Sequence, residues 1–253
     1  MLRAQPGQAV LVTGASSGLG RHFAIVLARA GYAVAAAARR PGELAQVVAE
    51  IEAAGGAAHA VAMDVTDLAS VRQGLSAAQA RFGPLHGLVN NAGITGTAPL
   101  LEQPAEAWDA ILQTNLRGAW AVATETARGM VAAGRGGAIV NVASILGLRQ
   151  ANQVSAYATS KAALIQLTKQ MALEWARHGI RVNALAPGYI ETPLNAAFFA
   201  SAAGQAMLRR IPARRLGRPE DLDAPLLLLL ATAGSYMSGS VLVVDGGHLT
   251  ASL

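Results

Sequence analysis

The chain has 253 residues, 53% of them apolar and 14% charged, with a formal net charge of +5 and no cysteine. That balance suits an ordinary globular core and argues against disorder, and the missing cysteine excludes disulfides, thiolate metal sites and cysteine nucleophiles. The arginines are scattered, with neither a basic stripe nor interleaved aromatics, so no nucleic-acid partner is expected.

No N-terminal stretch has the order of a signal peptide. The longest apolar run near the C-terminus, "APLLLLLATAG", is too short for a bilayer and reads as a buried helix. No membrane partner is expected, and the expected location is cytoplasmic.

Seven strand candidates follow one another: "AVLVT" (9–13), "AVAAAA" (33–38), "AHAVAMD" (58–64), "LHGLVN" (85–90), "AIVNVAS" (138–144), "IRVNALA" (180–186) and "VLVVD" (241–245). Most lack alternation, as strands buried on both faces of a parallel sheet do. Helix-length amphipathic segments separate them. One carries Phe23, Val26, Leu27 and Ala30 and ends at Gly31; another carries Leu164, Leu167, Met171 and Trp175 and ends at Gly179. The expected fold is α/β, a single doubly wound Rossmann-type domain over residues 1–253 with a seven-stranded parallel sheet flanked by helices. Residues 189–215 break the rhythm and read as an inserted lobe, a substrate lid.

The first strand runs into "TGASSGLG", with Gly14, Gly18 and Gly20 opening the next helix. Glycines there let the backbone approach a phosphate while the helix N-terminus offers free N–H groups. The second strand ends "AAAARRPGEL", with Ala38 where an acid would accept from a ribose 2′-hydroxyl, and Arg39 and Arg40 after it. A guanidinium suits a 2′-phosphate, which favours NADP, with NAD still possible if Glu43 folds back.

The chain has two lysines, Lys161 and Lys169, and Lys161 stands four residues after Tyr157. Residues four apart share a helix face, and an ammonium beside a phenol stabilises the phenolate. That would fit the tyrosine, ordinarily with a pKa near 10, for acid–base work. Ser144 ends the fifth strand, at the sheet edge where ligands bind, and its hydroxyl could hold a carbonyl oxygen.

Taken in order, Thr13-Gly14-x-x-x-Gly18-x-Gly20, Asn90-Asn91-Ala92-Gly93, Asn115, Ser144, Tyr157-x-x-x-Lys161 and Pro187-Gly188 with Thr192 span nearly the whole chain. The chain resembles the short-chain dehydrogenase/reductase family in its compact form, and is similar to that family's 3-oxoacyl-[acyl-carrier-protein] reductases. Leu19 stands where the family often has isoleucine.

The resemblance implies an NAD(P)-dependent oxidoreductase acting on CH–OH and C=O groups, with Asn115, Ser144, Tyr157 and Lys161 as the catalytic set. Tyr157 would be the general acid in reduction and the base in oxidation. Lys161 would lower its pKa and hold the nicotinamide ribose, Ser144 would orient the substrate oxygen, and Asn115 would anchor a water leading from Lys161 to solvent. The cofactor would lie on Gly14, Ser16, Ser17, Gly18, Leu19 and Gly20, with Arg39 at the 2′-phosphate. Asp64 and Val65 would flank the adenine, and Asn91, Ala92 and Gly93 the adenosine side. Tyr157, Lys161, Pro187, Gly188, Ile190 and Thr192 would hold the nicotinamide end. A homotetramer is implied as well.

The expected substrate is a small carbonyl or alcohol compound: a 3-oxoacyl thioester, or alternatively a sugar, polyol or cyclic ketone. Leu194, Phe198, Phe199 and Met207 would form an apolar lid with arginines behind it, and Arg149 and Gln150 would stand at the pocket mouth. A non-catalytic nucleotide sensor is the alternative from another class, and a complete Ser–Tyr–Lys set argues against it. The five histidines show no ligand spacing, so no metal is expected.

Overall fold

The computed structural model describes residues 2–192 and 196–251. Its seven parallel strands are β1 (Ala9–Thr13), β2 (Ala33–Ala38), β3 (Ala58–Ala62), β4 (Gly87–Asn90), β5 (Gly137–Val142), β6 (Ile180–Pro187) and β7 (Val241–Val244). They pair in the order β3-β2-β1-β4-β5-β6-β7. The chain steps outward from β1 to β3, then returns to the other side of β1. A crevice therefore opens where the carboxyl ends of β1 and β4 diverge.

Helices cover both faces, which explains the unbroken apolar strands. On β1, Val10 and Val12 pack with Phe23 and Leu27 of α1 (Gly18–Arg29), Leu44 and Val47 of α2 (Pro41–Ala53) and the leucines of a late helix that includes Leu226 and Leu229. Leu11 between them packs the other way, with Val71 and Leu75 of α3 (Leu68–Phe82) and with Val122, Met130 and Met171. Side chains alternate across a strand, so every residue of β1 meets a core.

Local chemistry sets the boundaries. Pro41 opens α2 with its fixed φ, and Asp67 caps α3 by accepting from Ala69 N at 2.9 Å. Gly31 (φ +97°) and Gly179 (φ +69°) end their helical segments in conformations that favour glycine. β3 is shorter than the spacing predicts because Asp64 Oδ1 accepts from Thr66 N at 2.9 Å and turns the chain. β5 stops before Ser144 because that hydroxyl caps a short 3-10 turn, accepting from Leu146 N at 3.1 Å.

The remaining helices are α4 (Ala105–Leu112), α5 (Ala119–Ala132), α6 (Ser155–Trp175), α7 (Ala196–Ala200), α8 (Ala202–Leu208) and α9 (Asp223–Leu230). The run "APLLLLLATAG" forms most of α9 and buries Leu226, Leu229 and Leu230, as expected of a core helix. Among the described residues no helix is long and apolar enough to cross a membrane. Between β6 and β7 the chain makes α7 and α8 over the crevice. Leu194, expected in the lid, lies outside the described residues.

Candidate active site

A cleft of ≈ 1210 Å³ runs along the carboxyl ends of the strands. At one end the β1–α1 turn wraps close to the sheet. Gly14 has φ +68°, and a Cβ on Gly20 would stand 2.2 Å from the Gly14 oxygen, so neither position admits a side chain without displacement. The turn is thereby held open as a cradle of main-chain N–H groups at the start of α1, suited to a pyrophosphate.

Arg39 lines this end of the cleft, as expected. Its neighbour Arg40 lines it too. Arg40 donates to Ser16 Oγ at 3.0 Å and Ser17 Oγ at 2.9 Å, and pairs with Glu43 at 2.8 Å. Glu43 is thus occupied by Arg40, and Arg40 already bridges the second strand to the glycine loop. Arg39 instead acts on Asp64, whose carboxyl is held below its usual range mainly by the Thr66 N–H, with Arg39 as the smallest cause. The cradle and these cations fit a dinucleotide with a 2′-phosphate.

A buried polar chain fixes the next segment. Thr13 Oγ1 accepts from Asn91 N and Ala92 N, both at 3.0 Å, and Asn91 Nδ2 donates to the Thr13 oxygen at 3.1 Å. Asn115 is 1% exposed. It lies in a π-helical turn, Gln113–Gly118, between α4 and α5; such turns recur at functional sites. Its Oδ1 accepts from Ile94 N at 2.8 Å, and its Nδ2 donates to Ile94 O at 2.9 Å and Ser160 Oγ at 3.1 Å. Ser160 Oγ in turn donates to Tyr157 O at 2.7 Å. Ser160, one helical turn after Tyr157, thereby joins Asn115 to α6.

Ser144, Tyr157 and Lys161 come together on the same cleft wall. Burial pushes the Tyr157 phenol above its ordinary value, partly offset by a hydrogen bond with Ser144, while nearby Tyr189 adds to the rise. Lys161 is 5% exposed. Its Nζ donates to Val142 O at 2.8 Å and lies 5.6 Å from the Tyr157 ring centre. Burial pulls the ammonium down to about 8. Burial is thus the leading cause for both groups, raising the phenol and lowering the ammonium.

Pro187, Gly188, Ile190 and Thr192 line the same cleft beyond Lys161. Gly188 has no room for a side chain, since a Cβ would stand 2.8 Å from the Asp245 backbone. Of the expected site residues, all but Gly18, Gly20 and Asn115 line the cleft. Phe198, Phe199, Met207, Arg149 and Gln150 also line it, as expected of lid and mouth. Tyr189, Arg210 and His248 complete that end. No spacing marked His248, which reaches the cleft from the turn after β7. Among the described residues no three His, Asp or Glu side chains converge as metal ligands.

Crevice, glycine cradle and Ser–Tyr–Lys wall together describe a nucleotide-linked α/β oxidoreductase. The family model of short chain dehydrogenases matches residues 8–203, and the chain belongs to that family. It is 37% identical to the 3-oxoacyl-[acyl-carrier-protein] reductase of Thermotoga maritima over 95% of this chain and 97% of that one. It is 42% identical to the cis-4-hydroxycyclohexanecarboxylate dehydrogenase of Sinomonas cyclohexanicum, over 94% and 95% of the two chains. A gluconate 5-dehydrogenase from Burkholderia cenocepacia, solved with NADP and tartrate, superposes with a TM-score of 0.94 at 36% identity, over 99% of this chain and 98% of that one.

Proposed function

We propose that the protein is an NADP(H)-linked dehydrogenase/reductase that interconverts a ketone and a secondary alcohol in a small substrate. The observation that carries this reading is Tyr157, set with Ser144 and buried Lys161 on one wall of a cleft whose far end is the glycine cradle. Gly14, Ser16, Ser17, Gly18, Leu19 and Gly20 would hold the pyrophosphate, with Arg40 and Arg39 at the 2′-phosphate. Asp64, Val65 and Asn91 to Gly93 would flank the adenosine, and Lys161 with Pro187, Gly188, Ile190 and Thr192 the nicotinamide end.

NADPH held there would supply the hydride that the carbonyl carbon takes. In reduction Ser144 Oγ donates to the carbonyl oxygen and Tyr157 gives that oxygen its proton, becoming a phenolate that Lys161 stabilises while it carries charge. The raised phenol pKa keeps Tyr157 protonated at neutral pH, which suits reduction. Asn115 acts as a positioning residue, clamping the 91–94 loop to α6 through Ile94 and Ser160. Residues 189–215 serve as the substrate lid of a single domain, and a cytoplasmic homotetramer belongs to this reading.

Two substrate classes compete: 3-oxoacyl thioesters, and sugar, polyol or cyclic ketones. The cleft beyond Tyr157 carries Arg149, Gln150, Asn152 and Arg210, a polar wall that supports the second class. Two of the three relatives above are named for hydroxylated carboxylates. The test is NADPH consumption with acetoacetyl thioesters, oxo-sugar acids, diketones and 4-oxocyclohexanecarboxylate. Consumption with at least one ketone is expected. Tight NADPH binding without consumption across the panel would favour a nucleotide sensor instead.

A further inference from the structure

Beyond Tyr157 the cleft carries positive charge that no ion pair among the described residues neutralises. Arg149 and Arg210 both line this end, and among the described residues neither pairs with a carboxylate. Asp245, the acid that acts on this corner, is spent on the backbone. Its Oδ1 accepts from Gly247 N at 2.8 Å and its Oδ2 from Leu249 N at 2.7 Å. Arg149 uses Nη1 on the His248 oxygen at 2.6 Å, which leaves most of its planar fork of donors for a ligand.

His248 supplies a second, independent sign. The residue is 6% exposed, and its Nδ1 is buried with no hydrogen-bond partner, a state that folded proteins seldom leave unexplained. Burial first, then Arg149 and Arg210, hold its imidazole below the usual range, with Asp245 acting against them. A neutral ring at this place can donate to an anion or accept from a hydroxyl.

The distance to the chemistry is one side chain. The Tyr189 ring lies 5.6 Å from that of His248, and Tyr189 is within electrostatic reach of Arg149 on one side and Tyr157 on the other. Three separate elements build this corner: the turn after Ser144 brings Arg149, the end of α8 brings Arg210, and a Gly246-Gly247 turn brings His248. Both glycines have positive φ, and Gly246 O accepts from Ala213 N at 3.1 Å, tying the C-terminal turn to the lid.

We propose that Arg149, Arg210 and His248 form a carboxylate subsite, so that the substrate carries its anionic group at the end remote from the reacting oxygen. Guanidinium pairs recognise carboxylates through two parallel charge-assisted bonds. The separation by Tyr189 excludes 2-oxo acids, whose carboxylate would fall beside Ser144. A phosphopantetheine arm also fits poorly, because its phosphate stands many bonds further from the thioester carbonyl than one tyrosine ring. The inference rests on the proposed reduction at Tyr157 for its direction, but binding alone can test it.

The NADP-saturated protein is titrated calorimetrically with 4-oxocyclohexanecarboxylate and with the matching amide. The acid should bind at least about tenfold more tightly, with a preference that shrinks as salt rises. In Arg149→Met and in Arg210→Met the ratio should fall towards one. Arg149 also holds the His248 carbonyl, so the exposed Arg210→Met decides the matter if the other variant does not fold. Equal binding of acid and amide, or a preference that survives Arg210→Met, would overturn the subsite. So would acetoacetyl-coenzyme A binding that depends on these arginines without any preference for acid over amide. If the acid preference holds while no ketone consumes NADPH, the subsite stands and the proposed reaction fails.

Discussion

Lys161 Nζ donates to Val142 O at 2.8 Å while lying 5.6 Å from the centre of the Tyr157 ring. One helical turn places the two residues on the same face, and the sheet edge then takes the ammonium's hydrogen bond. The charge is buried, close to a buried phenol, and its pKa falls to about 8. Its protonation state therefore governs the site near neutral pH.

Ketone reduction should be fastest below about pH 8 and decline as Lys161 loses its proton, because the phenolate left on Tyr157 then has no cation beside it. Lys161→Met should remove both that decline and most of the rate. Alcohol oxidation should rise with pH throughout, since Tyr157 must ionise from a raised pKa. Tyr157→Phe should lower turnover by about 10²–10⁴-fold in both directions while NADPH still binds. Initial rates across pH for the three proteins check these outcomes, and a Tyr157→Phe variant with near-normal rates would remove the tyrosine from the chemistry.

Burying Lys161 costs stability. Its folded pKa of about 8 lies below the ordinary 10.5, so the penalty is complete below pH 8 and disappears as pH rises through 10.5. Lys161→Met should therefore be more stable than the native protein at pH 7, by roughly 1–3 kcal/mol after the lost bond to Val142 is counted. The gain should shrink in melts at pH 9.5 to about half or less. A variant less stable at pH 7 would show that the bond outweighs the buried charge.

Arg40 is hydrogen-bonded to both Ser16 and Ser17 and so stands ready at the phosphate end. Arg40→Ala should weaken NADPH binding about ten- to hundredfold and NADH binding far less. Arg39→Ala should act in the same direction with a smaller effect, because among the described residues no hydrogen bond holds its guanidinium on the glycine loop. Ala38→Asp should turn preference towards NADH by repelling a 2′-phosphate. Fluorescence titration with both nucleotides measures all three, and a native protein that bound NADH more tightly would reverse the assignment.

Leu112, Leu116 and Trp120 line an apolar hollow with Leu167 of α6, and Trp120 remains 45% exposed. Leu173 on α6 is 75% exposed. On the far edge, β7 is apolar and only half-buried, an edge that invites pairing. Light scattering should give four times the chain mass, and Trp120→Glu should reduce it. A native monomer at micromolar concentration would contradict the tetramer.

Features that depend on near neighbours in the chain were legible from residues alone. The glycine turn, the Tyr157–Lys161 pair and all seven strands follow from short-range geometry, because helix pitch and strand pleat convert spacing directly into distance. Strand ends were misplaced where a side chain turned the backbone, as Asp64 and Ser144 do.

The identity of this chain as a doubly wound nucleotide-binding oxidoreductase was written in the order and spacing of its motifs. The far end of its cleft was legible only in part: lid aromatics and Arg149 were expected there, His248 was not. Arg149, Arg210 and His248 come from three loops that no local rule relates, and they meet only because the sheet order and the Gly246-Gly247 turn bring those loops over Tyr189. The same holds for the charge on Lys161: helical spacing put it beside Tyr157, but the surrounding sheet and helices removed its water and so moved its pKa. Spacing along a chain encodes which groups can be neighbours, whereas dielectric and convergence belong to the packed whole.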